Sequence, residues 1–190
     1  MKNIIKTILV FGIFSNYAIA EDTSWEFKLI PSVEKSKATQ DTPKHNSNSL
    51  TTALGYNRNN DQIEFSLSTS QANSPINETS STVGLGYEKH LGEYNNFSST
   101  LKFSIARDFS VGQHDDSYSI EPKLIYKANG FEPFVSFNYS KSFDGGIATK
   151  EYAFGAKFEI LELAVQPTFF TVREGTDKSN GFRLEIVKSF

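Results

Sequence analysis

The sequence predicts an all-β protein: a transmembrane, up-and-down antiparallel β-barrel of about ten strands, with long outer loops and short periplasmic turns. Three observations lead there. Ten short segments alternate apolar residues with polar or small ones, as a strand does when one face meets lipid and the other a polar lumen. The connections between these segments alternate in length. Cysteine is absent, so a small exported domain cannot rely on disulfides, and a closed hydrogen-bonded sheet is a way to do without them.

The amino terminus supplies the export signal. Lys2 and Lys6 precede an apolar stretch at 8–14, and Ala18-Ile19-Ala20 offers small residues at a cleavage position. This pattern predicts a signal peptide over 1–20 and a barrel domain over 21–190. The apolar run is too short to cross ~30 Å of hydrocarbon as a helix, and no later stretch approaches that length. Removing Lys2 and Lys6 leaves 17 basic against 22 acidic residues, a net charge of -5. No basic patch suggests nucleic acid as a partner.

Each strand is assigned from its period of two. The first covers 25–30, with Trp25, Phe27 and Leu29 on one face. The second covers 49–56, with Leu50, Leu54 and Tyr56. The third covers 63–69 (Ile63, Phe65, Leu67) and the fourth 82–88 (Val83, Leu85, Tyr87). The fifth covers 97–106, with Phe97, Leu101, Phe103 and Ile105. The sixth covers 118–126, with Tyr118, Ile120, Leu124 and Tyr126. The seventh covers 131–139 (Phe131, Val135, Phe137, Tyr139) and the eighth 151–160 (Tyr152, Phe154, Phe158, Ile160). The ninth covers 163–171, with Leu163, Val165 and Phe169. The last covers 182–190 and ends on Phe190. Pro122, Pro133 and Pro167 fall inside strands, where each removes a ladder donor. A bulge or a broken pair is expected beside each.

The connections after odd strands are long (31–48, 70–81, 107–117, 140–150, 172–180). Those after even strands are mostly short (57–62, 89–96, 127–130, 161–162). Asn129-Gly130 is a strong hairpin signal. Long outer loops and short periplasmic turns fit this alternation.

Volume decides which face points out. In a soluble barrel such as a lipocalin the apolar face lines the interior. Here that face holds about 35 large side chains, about half of them aromatic, too many for a lumen near the eight-strand size. Outward, they form a lipid belt. The alternate phase carries the charges expected to line the lumen: Glu26, Lys28, Glu64, Glu88, Lys102, Glu121, Lys123, Glu132, Lys157, Glu159, Arg183 and Glu185, interleaved with small residues such as Ala53, Gly55, Gly84, Gly86, Ala153 and Gly155. Lys188 is the one clear charge in the apolar phase, near the periplasmic end, where a lysine can snorkel. Lys28 and Glu185 fall at similar depth across the closing seam and are expected to lock the first strand to the last.

On these residues the chain resembles the small bacterial outer-membrane β-barrel proteins, porin-like ones among them, over essentially the whole mature sequence, without falling into one named family. The resemblance is sharpest in the last strand, where Phe182, Leu184, Ile186 and Phe190 match the terminal signal that barrel-assembly machinery recognises; Lys188 departs from it. The resemblance implies a monomer in the bacterial outer membrane, with outer-membrane lipid, lipopolysaccharide and the assembly machinery as partners. It implies no cofactor and no metal.

The expected activity is passive passage of small solutes through the charged lumen. The alternative is a closed, salt-bridged barrel that binds or adheres through its loops. Enzymatic function is not expected. His45, His90 and His114 are the only histidines, and His114-Asp115-Asp116, in the third outer loop, is the one group that suggests hydrolytic or metal chemistry. The omptin proteases share the strand number, but they are much longer, and their paired Asp and Asp–His residues have no recognisable counterpart here.

Overall fold

The structure is a computed structural model and describes residues 23–36, 46–73, 78–110 and 113–190. The signal peptide, His45 and the centres of the first two outer connections lie outside the described residues. Ten strands follow one another: β1 (Thr23–Ser36), β2 (Asn46–Arg58), β3 (Asp61–Asn73), β4 (Glu78–Tyr94), β5 (Phe97–Ser110), β6 (Gln113–Tyr126), β7 (Phe131–Ser142), β8 (Thr149–Ile160), β9 (Leu163–Glu174) and β10 (Asp177–Ser189). Each pairs antiparallel with the next, and β10 returns to β1, closing the barrel. The seam runs to the last residue. Trp25 and Phe190 exchange backbone hydrogen bonds of 3.2 and 2.9 Å.

The apolar phase faces out. Phe65, Leu85, Phe103, Ile105, Val135, Phe154 and Phe169 are each at least 45% exposed, an outward band of the kind that meets lipid around a membrane barrel. Aromatic pairs mark both rims. Trp25–Tyr56, Phe97–Tyr126 and Phe131–Phe158 lie at the periplasmic end, with ring centroids 5.0–5.2 Å apart. Phe137–Tyr152 and Phe169–Phe182 lie toward the outer one. Lys188 does not need the membrane interface alone: it bonds Glu162 in the turn between β8 and β9.

The strands are longer than the apolar pattern indicates. The polar stretches read as long loops continue as ladder, so β5 ends at Ser110 and β6 begins at Gln113. His114, Asp115 and Asp116 consequently sit in β6, not in a loop. Spanning takes ~9–11 residues per tilted strand, so strands of 12 to 17 extend beyond the belt. There the alternation has no apolar member to reveal it. Lumen-facing hydroxyls link neighbouring strands instead: Ser32–Ser49 and Ser70–Ser80 at 2.8 Å, Thr51–Ser68 at 2.9 Å.

The turns at the opposite end are tight. Asn59, Asn60 and Asn95 adopt positive φ, which asparagine tolerates in two-residue hairpins. Gly130 at φ 72 closes the Asn129-Gly130 turn, flanked by paired Ala128–Phe131 bonds of 3.2 Å.

Each of the four prolines among the described residues interrupts pairing on one side only. The β6–β7 ladder jumps from Ile120–Tyr139 to Lys123–Ser136, beside Pro122, and ends at Ile125–Phe134, beside Pro133. The β8–β9 ladder jumps from Gly155–Thr168 to Phe158–Val165, beside Pro167. Pro31 does the same between Leu29–Ile186 and Ser32–Arg183 at the seam. The opposite flank of each proline stays in register.

A charged lumen as candidate functional site

The inward phase brings all twelve candidate charges into two neighbouring cavities. The cavity toward the periplasmic end, about 460 Å³, is lined by Glu26, Glu132, Lys157 and Glu159 with Asn60 and Leu161 of the turns. The outer cavity, about 290 Å³, is lined by Glu64, Lys102, Glu121 and Arg183 with the hydroxyls of Ser32, Ser49 and Thr51. Lys28, Glu88, Lys123, Phe134, Gln166 and Glu185 line both. They form a waist between the cavities.

A continuous polar chain runs through that waist and ties it to Glu64 and Lys102 of the outer cavity. Lys102 Nζ donates to Glu64 Oε1 at 2.6 Å, and Lys28 Nζ lies 2.7 Å from Glu64 Oε2. Lys28 also stands 3.7 Å from Glu185 Oε1, across the seam. Gln166 donates to Glu185 Oε2 at 3.1 Å and accepts from Lys123 Nζ at 3.4 Å. One bonded path thus runs from β5 through β3, β1, β10 and β9 to β6. Gln62 adds a branch, accepting from Lys28 at 3.0 Å and donating to Glu26 at 2.7 Å. The nearest acid to Lys28 is Glu64, not the expected Glu185. Elsewhere Lys157 faces Glu132 at 3.6 Å, and Arg183 bonds Glu151.

Small residues create the room for this chain. A Cβ on Gly86 would lie 2.9 Å from Lys102 Cε, and one on Gly55 2.9 Å from Gln62 Nε2. Each glycine is a shallow slot over which a long side chain from the next strand lies flat. Two inward aromatics use the same device. Phe134 lies against Gly155, its register partner, and Phe170 against Gly181, likewise its partner. Both rings then hold cations: Lys123 Nζ is 4.2 Å from the Phe134 centroid and Arg183 Cζ 4.8 Å from that of Phe170, a favourable geometry.

A charge-by-charge reading of the sequence passes over Phe134, Phe170, Gln62, Gln166, Glu34 and Glu151. The signal for the aromatics is the glycine opposite each on the neighbouring strand. Asp115 and Asp116 are already engaged. Asp116 accepts two bonds from Arg107, at 2.6 and 2.5 Å, and Asp115 accepts from Ser142 Oγ at 2.5 Å. Among the described residues no cluster of three or more His, Asp or Glu side chains is arranged to hold a metal ion.

No protein-family model matches the chain, and no curated protein matches it in sequence. Solved structures do. The translocator domain of the autotransporter NalP from Neisseria meningitidis superposes with a TM-score of 0.56 at 8% identity, covering 98% of this chain and 95% of that one. The beta domain of the Bordetella autotransporter BrkA gives 0.56 at 6% identity, over 88% and 99%. Neisserial surface protein A gives 0.48 at 8%, over 90% and 100%. At such identities the first two establish a common barrel architecture. The closed antiparallel wall and its outward apolar belt make this chain a β-barrel of the bacterial outer membrane.

Proposed function

We propose that this barrel is a narrow, porin-like conduit for small solutes, with the waist around Lys28 as its constriction. The observation that carries the reading is the stacking of two polar cavities on one axis, joined at a shared layer of charged side chains. A lumen built only as packing has little need of ionic walls above and below a single bonded layer. Among the twelve charges seven are acids and five are bases, so the conduit favours cations. Glu34, which accepts from Ser179 Oγ, and Glu151, paired with Arg183, add two more acids in the inward phase. We propose no catalytic role for any of these side chains.

The bonded waist itself favours a second reading, a closed barrel whose outward-projecting strands do the work. Single-channel recording on the refolded protein in a planar bilayer separates the two. The conduit gives discrete steps with cation preference, and Lys102→Gln with Lys123→Gln raises that preference further. An inserted but silent barrel rules the conduit out.

A further inference from the structure

On the outside of the wall, just above the outer aromatics, four cations stand together without carboxylate partners. Lys141, Lys150, Arg173 and Lys178 occupy the lipid-facing phase of β7, β8, β9 and β10. Lys150, Arg173 and Lys178 are exposed, and Lys141 is half-buried. Lys150 pairs directly with Arg173, and Arg173 directly with Lys178. Like charges placed directly opposite on neighbouring strands repel and destabilise a sheet. On the neighbouring strands β5 and β6, by contrast, the outward-facing Arg107 has Asp116 beside it. None of the four cations forms an ion pair with a described residue; Arg173 instead lies over the Tyr152 ring, 6.0 Å from its centroid. This strip occurs in a chain of net charge -3, so it does not reflect a generally basic surface.

Depth identifies what the strip faces. Lys141 and Lys150 lie two residues beyond Tyr139 and Tyr152. Arg173 and Lys178 lie four beyond Phe169 and Phe182. With a rise of ~3.3 Å per residue and a strand tilt of ~45°, these offsets lift the charges roughly 5–9 Å above the aromatics. The headgroup layer of one leaflet is about 5–7 Å thick. We infer that the strip is a binding site for the phosphorylated headgroup of the outer-leaflet glycolipid, lipopolysaccharide. Its phosphates supply the counter-charge that these four cations do not find among the described residues, and Arg173 at the centre can take one bidentately. The acyl chains lie along the belt formed by Tyr152, Phe154, Phe169 and Phe182. The site is on the outer surface, so its occupancy is independent of whether the lumen conducts.

The test titrates the refolded full-length barrel, in neutral detergent, with lipid A bearing both phosphates, with dephosphorylated lipid A and with inorganic phosphate. Wild type is expected to bind the phosphorylated lipid more tightly than the other two. Lys150→Gln, Arg173→Gln and Lys178→Gln combined should weaken that binding about 100-fold, at roughly fivefold per cation near an anionic surface. Lys188→Gln with Glu162→Gln, at the periplasmic end of the wall, should leave it unchanged. If the triple variant does not fold, Arg173→Gln alone is expected to cost about fivefold. The inference is overturned if the folded variant binds phosphorylated lipid A as wild type does. It is overturned equally if wild type does not distinguish the two lipids, or if inorganic phosphate binds as tightly as the lipid, which marks an anion site without lipid recognition.

Discussion

Single residues in the lumen divide by what a substitution would displace. At Gly181 a Cβ meets the Phe170 ring and the carbonyl oxygen of Val33, the latter at 2.6 Å. Backbone cannot step aside, so Gly181→Ala should lower stability by about 1–3 kcal/mol through overpacking, read as an earlier urea midpoint in lipid vesicles. At Gly86 the obstacle is the flexible end of Lys102. Gly86→Ala should therefore leave the midpoint nearly unchanged, and shift conductance by moving Lys102 off Glu64. Equal stability losses at the two sites would refute the slot interpretation. Outside the bilayer, the bond from Lys188 holds the Glu162 carboxyl below the usual glutamate range. A depressed carboxylate stabilises the fold at pH above its unfolded-state value and loses that contribution as pH falls through the folded one. The gap in urea midpoint between wild type and Glu162→Gln should thus be constant near neutrality and close in acid. A gap that persists in acid would exclude the ion pair as its source.

At the scale of the strand, the prolines are the distinctive feature. Pro31, Pro122, Pro133 and Pro167 all lie in the lipid-facing phase, and each interrupts one ladder while leaving the other in register. Backbone groups without partners are costly in hydrocarbon, so each interruption weakens one line in the wall. Pro167→Val restores a donor and keeps an apolar group toward lipid. It should raise stability by about 1 kcal/mol, the net worth of one hydrogen bond. Amide exchange along 155–158 should slow with it. Faster exchange there would show that the proline shapes the wall rather than interrupting it.

The whole molecule was legible in the sequence to the extent that two solvents wrote it. Where a strand has lipid on one side and water on the other, period-2 patterning is strong, and the ten spanning segments and their order follow from it. Beyond the belt both faces are wet. Residues such as Ser70 and Ser80 then pair without any apolar alternation, so the ladders outrun the reading. In the lumen, charges were visible by type. Phe134 and Phe170 were not, because an inward ring looks like a lapse in the pattern until the glycine beside it is seen. The polar path through Glu64, Lys28 and Glu185 joins side chains of six strands, and only the closed register brings those residues together.

That closure has a consequence for how the chain reaches its native state. Nine of the ten ladders are local hairpins that can zip as they form, but the tenth joins Glu26 to Ser189, from opposite ends of the chain. It concentrates the non-local part of the fold's contact order in one final event, and such pairings are slow to form. Until then β1 and β10 are both open edges, and open edges recruit other strands. A chain lacking β10 would not be a slightly weaker barrel; it would be a sheet with two adhesive margins.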